Sequence, residues 1–417
     1  MVMSACMASI ILCNVRSGVG AWTGICGHAL VRTGARAGLH QLQGKLWVDK
    51  LPCLLDGTFH HGVFNAGVKM VFSNSTSWMV RFPRVGIVCD SYTNKKVAME
   101  VTALNLIHER TTIPVPRVQA WGLAITNPLG LGPFIMMDFI NSVSLGDILQ
   151  DPNTERPSRV MREDISNSDI EYIYRQWADF LLQLFMLDFD QIGRACRRHR
   201  LKPQSPTPPW LLTFKAHSIL QNRGVDTFTQ GFATTTEYFQ YVVKQDWEQL
   251  IHQPNLTVGS YNAQNKYMAF KVLEGLIPDL CHLKYDYCKF KLICDDFGLA
   301  NLIVRGREDL IVIGVVNLGW LYIGPTQLFG SAPCAWDYKD NKPPKIASRY
   351  SKCLETFIRS QASGAMWLHM LLLSGFNDHR SFPFTQLRRH LGATDGNMTK
   401  EEFVANALME SGSAPAP

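Results

Sequence analysis

The chain has 417 residues, 46% of them hydrophobic and 18% charged, a globular composition with apolar material for a large core shared among two or three lobes or domains. The formal net charge is +6, but residues 1–48 hold no Asp or Glu and carry Arg16, Arg32, Arg36 and Lys45, so the remainder is nearly balanced and a broad nucleic-acid surface is not implied. No apolar run is long enough to span a bilayer, and the 11 scattered cysteines lack a C-x-x-C pair, which favours a reducing compartment and no zinc site.

In chain order, residues 1–48 read as a leader outside the folded part, with a transit-peptide-like composition as the alternative. A cytoplasmic location follows from the first reading and a mitochondrial one from the second. Next, "GVKMVFSNSTSWMVRFP" is two β-rich runs around a Ser/Asn turn, hence a hairpin. "NKKVAMEVTALNLIHE" has Val97, Val101, Leu104 and His108 at helical spacing. "IPVPRVQAWGLA" and "GPFIMMDFI" are further strands, the second apolar enough to be buried. After residue 141 helices take over. Ser144 is a candidate N-cap, "DIEYIYRQWADFLLQLFMLDF" is a core helix, and two more helices follow the Pro-rich loop at 202–210. Strands return briefly between 289 and 317, and a loose tail closes the chain.

The expected fold class is α+β in two lobes. A small β-rich lobe with one helix spans 49–140. A larger, mostly helical lobe with an inserted β-hairpin spans 141–395, and the tail covers 396–417.

Phosphoryl transfer needs a base for the attacking hydroxyl, groups that bridge the phosphates, and a cation that neutralises them. In "CDDFGLANLIV", Asp296 and Asn301 are five residues apart, so one irregular turn can aim both into one cavity. The hairpin then returns at Asn317. On the helix wheel Glu100 falls at about 300° from Val97, on the apolar face, where a carboxylate needs a partner. Arg81, alone in the apolar strand "WMVRFP", is that partner, and a strand cation held by a helix glutamate is kinase architecture. In "HHGVFNAG", Gly62 and Gly67 would let backbone approach a phosphate, and Asn65 could hold the turn.

Taken in order, "FHHGVFNAGVKMVFSNSTSWMVRFP", "AMEVTALNLI", "FIMMDFINSVSL", "KLICDDFGLANLIV" and "GVVNLGWLYIGP" resemble the aminoglycoside phosphotransferase and choline kinase-like group, and within it the fungal branch, over about residues 55–390. The resemblance implies a protein-kinase-like fold and an ATP- and Mg-dependent transfer to a hydroxyl of a small molecule. It makes Asp296 the catalytic base, Asn301 and Asn317 the metal ligands, and Arg81 the phosphate-binding cation with Glu100 behind it. Asp138, Phe139 and Ile140 match the adenine-contacting hinge. The partners it implies are ATP and an unknown small-molecule acceptor, with no nucleic acid and no membrane. Asn317 stands where the group has a metal-binding Asp, Gly319 where the branch commonly has Glu, and the region 330–362 departs from the pattern. The alternative expectation is therefore a weak or inactive pseudokinase that binds nucleotide or acts as a scaffold.

Overall fold

The structure, a computed structural model, describes residues 53–84, 87–88, 90–127, 132–151, 162, 164–192, 231–252, 257–281, 283–294, 297–329, 360, 362–374 and 382–390. The leader, the loop at 202–210, Asp296, nearly all of 330–362 and the tail lie outside these residues. The chain is α+β, with antiparallel strands and one long helix first and helices prevailing later. It divides into two compact units. One holds the described residues up to Ala178 together with Leu299–Gly319. The other holds Asp179–Gly298 and the described residues from Trp320 onward.

The first unit is built on a five-stranded antiparallel sheet. Its strands are β1 (Cys53–His61), β2 (Asn65–Phe72), β3 (Ser77–Pro83), β4 (Val118–Gly122) and β5 (Phe134–Asp138), in the order β1-β2-β3-β5-β4. Helix α1 (Thr93–Arg110) lies between β3 and β4 in the chain. The β2–β3 hairpin closes through Ser75, whose φ of 69° is left-handed, and Asn74, whose Oδ1 accepts from the Thr76 amide at 3.0 Å. Strand β1 is not marked by apolar alternation. Asp56 and Gly57 interrupt it, both poor strand formers, and its register with β2 shifts between Leu55 and Phe59.

Alternation along the strands sorts the two faces of the sheet. Val68, Met70, Phe72, Trp78, Val80, Phe134 and Met136 pack together on one face. Ile135 and Met137 meet Val97 and Val101 of α1 on the other, with Met79 against them. Arg81 is two residues along from Met79, so it shares the helix-bearing face.

Beyond the sheet come β6 (Val143–Ser144), α2 (Leu145–Leu149), α3 (Asn167–Phe185), α4 (Thr235–His252), α5 (Gly259–Leu280), α6 (Leu283–Asp286) and β7 (Lys291–Cys294). They are followed by β8 (Leu302–Val304), β9 (Val312–Val315), β10 (Leu321–Gly324), α7 (Thr326–Phe329), α8 (Ala365–Ser374) and α9 (Phe382–His390). Hairpin β8–β9 belongs to the first unit, where β8 lies between β6 and β9. Ser144 caps α2 by accepting from the Gly146 amide at 3.2 Å, and its hydroxyl donates to the Ala300 carbonyl at 2.8 Å. Gln176 of α3 grips the returning strand: Nε2 donates to the Leu310 carbonyl at 3.0 Å and Oε1 accepts from the Val312 amide at 2.9 Å.

In the second unit β7 and β10 pair antiparallel, and β10 is buried along its whole length. Helix α4 packs on α5, and α8 packs on α9. Helix α5 ends two residues after Pro278, which has no amide to offer the Glu274 carbonyl.

Candidate functional site

The structure brings Arg81 and Glu100 together. The Arg81 guanidinium pairs with Glu100 Oε1, with side chains 13% and 2% exposed. The pair forms because β3 turns Arg81 toward α1, and because Glu100 sits on the buried side of that helix among Val97, Val101 and Leu104. Burial pushes Arg81 down to about 10, which leaves it a cation at neutral pH.

A second cation joins them. Lys96 lies one helical turn before Glu100, only 1% exposed, with Nζ 3.8 Å from Glu100 Oε2. Each carboxylate oxygen thus faces a different cation. Burial first, and then the charge of Arg81, push Lys96 down to about 7. The room for its ammonium comes from Gly319, where an added Cβ would stand 2.7 Å from Lys96 Nζ and 3.3 Å from Glu100 Oε2.

Asn301 and Asn317 also meet. Strands β8 and β9 pair Leu302 with Val315, and the Val316 amide donates to the Asn301 carbonyl at 2.9 Å. At this end of the hairpin Asn317 Nδ2 donates to Asn301 Oδ1 at 3.4 Å. Asn317 has φ of 61°, a left-handed conformation that Asn tolerates better than most residues. A magnesium ion selects hard, preferably anionic oxygens. Here the two expected ligands are neutral amides, and the oxygen of one accepts from the nitrogen of the other. Among the described residues no three His, Cys, Asp or Glu side chains gather into a cation site. The described donor set does not fit a divalent metal. Asp296, two residues past the end of β7, lies outside the described residues.

The turn before β2 is held by its own backbone. The Gly62 amide donates to the Asn65 carbonyl at 2.9 Å, so Asn65 holds the turn through its main chain. Arg84 Nη1 donates to the carbonyls of Gly62 and Val63 at 3.0 and 3.3 Å. Gly67 has a packing reason to be glycine: a Cβ there would stand 2.6 Å from Met79 Sδ and 3.3 Å from the Val80 carbonyl on the neighbouring strand. The expected hinge is partly committed to the sheet. The Asp138 amide donates to the Arg117 carbonyl and the Phe139 amide to the Ser77 carbonyl, both at 3.0 Å. Asp138 Oδ1 accepts from Gln119 at 2.7 Å. The Phe139 ring lies beside His60 and under the Lys69 ammonium, which is 4.6 Å from its centroid. Ile140 covers Gly314, where a Cβ would stand 2.4 Å from Ile140 Cδ1.

Sequence reasoning passed over Lys96 and Arg84. The helix wheel carried a signal for Lys96, which falls at about 260° from Val97, beside Ile107 at about 280° on the apolar face. Its i,i+4 spacing from Glu100 was a second signal. Arg84 carried none, because its partners are backbone carbonyls.

No protein-family model matches the chain, and no curated protein matches it in sequence. Among solved structures it is similar to a macrolide 2'-phosphotransferase of type I, at 13% identity and a TM-score of 0.41 over 88% of this chain and 93% of that one. It is similar to a macrolide 2'-phosphotransferase of Brachybacterium faecium, at 11% identity and a TM-score of 0.37 over 82% of this chain and 95% of that one. It is also similar to an ethanolamine kinase of Plasmodium vivax, at 10% identity and a TM-score of 0.36 over 87% of this chain and 82% of that one.

Proposed function

We propose that the chain is an ATP-dependent phosphotransferase acting on a hydroxyl of a small molecule. The observation that carries this reading is the buried Arg81–Glu100 pair on the helix-bearing face of the sheet. A buried ion pair contributes little net stability, so a desolvated cation held by a carboxylate points to a use beyond folding. Arg81, held from behind by Glu100, would bind phosphate oxygens. Asp138 and Phe139 have spent their amides on the sheet, which leaves Ile140 as the hinge amide that would address a base. Asp296 would accept the proton of the acceptor hydroxyl as its oxygen attacks the γ-phosphorus. The bond from that phosphorus to the bridging oxygen breaks, and ADP leaves. The lobes at 49–140 and 141–395 are part of the same proposal.

A second reading has its own observation. The Asn301–Asn317 amide contact satisfies a neutral site, which suits a protein that holds nucleotide without transferring phosphate. ATP titration together with ADP release over a panel of small hydroxyl compounds separates the two. For an enzyme, Asp296→Asn lowers turnover by about 100-fold or more while ATP affinity holds, since a general base contributes about 10²–10⁴. ATP binding with no ADP release from the wild type selects the second reading, and no ATP binding rejects both.

A further inference from the structure

We propose that Lys96, buried beside Glu100, supplies positive charge that takes the place of the divalent cation, so that this site holds nucleotide without metal. The inference deepens the proposed function and rests on its nucleotide-binding part.

Lys96 and Arg81 meet the same carboxylate from different sides, Arg81 at Oε1 and Lys96 at Oε2. Glu100 therefore serves as the holder of two cations on one face of the sheet. The Lys96 ammonium reaches the turn Asn317–Leu318–Gly319, because Gly319 has no side chain to exclude it. That turn carries no charge of its own. Asn317 and Asn301 occupy each other through an amide–carbonyl hydrogen bond, which no aspartate at 317 could donate.

These features agree in sign. A site that takes its phosphates through a dication needs carboxylates to hold that ion, and without the ion those carboxylates repel the phosphates. Here the turn offers amides in place of carboxylates, and a fixed ammonium stands beside it. A triphosphate at this turn would feel the charge of two side-chain cations and, among the described residues, would find neutral amides in place of carboxylates. Lys96, pushed down to about 7 by burial and by Arg81, would regain full charge beside such an anion. A Cβ at 319 would drive the ammonium away, so Gly319 and Lys96 form one device.

The test is ATP binding by calorimetry to the full chain in EDTA and in magnesium. The expected result is equal affinity in the two buffers, within about threefold, and competition by inorganic tripolyphosphate in EDTA. Lys96→Met should weaken binding in EDTA by about tenfold or more, and Lys96→Arg should keep most of the affinity. A thermal melt checks that the Met variant is folded. Asn317→Asp should weaken ATP binding in EDTA and make it magnesium-dependent. Wild-type binding that collapses in EDTA overturns the inference and leaves the nucleotide reading standing. Unchanged EDTA binding in folded Lys96→Met also overturns it. No binding in either buffer overturns the inference and the nucleotide reading together.

Discussion

Removing the charge of Glu100 leaves Arg81 and Lys96 without the carboxylate whose two oxygens they share. Breaking a buried pair from one side is far more costly than replacing it whole. Glu100→Gln should therefore lower the unfolding free energy by about 3–5 kcal/mol in a urea titration. Lys96→Met, which deletes a desolvated charge, should be close to neutral or stabilising in the same measurement. The lysine also gives the protein a pH signature. Folded Lys96 loses its proton near about 7, against an ordinary value of 10.5 in the unfolded chain. Between these the unfolded chain holds a proton that the folded chain lacks, so stability rises with pH across that window, by at most about 1.4 kcal/mol per pH unit. Melting temperatures of wild type and Lys96→Met measured across the window should differ in slope, and a parallel pair of curves would place the lysine outside the buried cluster.

Among the elements, hairpin β8–β9 is gripped by one side chain of α3. Gln176 supplies both an acceptor and a donor to the backbone on one edge of β9. Gln176→Leu keeps the bulk and leaves a carbonyl and an amide without their partner, which costs about 1–3 kcal/mol. Hydrogen exchange at the Val312 amide should then speed up relative to the middle of β3, and unchanged exchange there would show that the clamp is dispensable. The elements also show where sequence was readable. Helix α1 and strands β3 and β5 could be read because apolar spacing and alternation are strong over their lengths, and the same alternation put Arg81 on the face of Glu100. Strand β6 has only two residues, too few for any period, and exists because β8 pairs with it. Gln176 could not be read either, since its partners lie 134 and 136 residues away. Lys96 was legible on the wheel, yet a lysine is by default assigned to solvent, and only a glycine on a distant turn makes room for it.

At the scale of the molecule, the first unit is discontinuous: the described residues up to Ala178 are completed by Leu299–Gly319. The Val315 amide donates to the Pro114 carbonyl, and Ser144 reaches the Ala300 carbonyl, so the late segment is tied to two places in the early one. A chain stopped after residue 298 should lack cooperative unfolding of that unit, and adding residues back to 319 should restore it. Circular dichroism melts of the two truncations would check this, and a sharp transition in the shorter chain would contradict it. The same discontinuity imposes an order on synthesis. About 120 residues of the second unit separate the two parts, and at roughly 5–20 residues per second a ribosome needs about 6–24 s to cross them. Throughout that interval β6 has left the ribosome and β8, its pairing partner, has not yet been made. The pace of translation between residues 179 and 298 thus sets how long the nascent chain carries an open strand edge, and slow codons in that stretch would lengthen its demand for a chaperone.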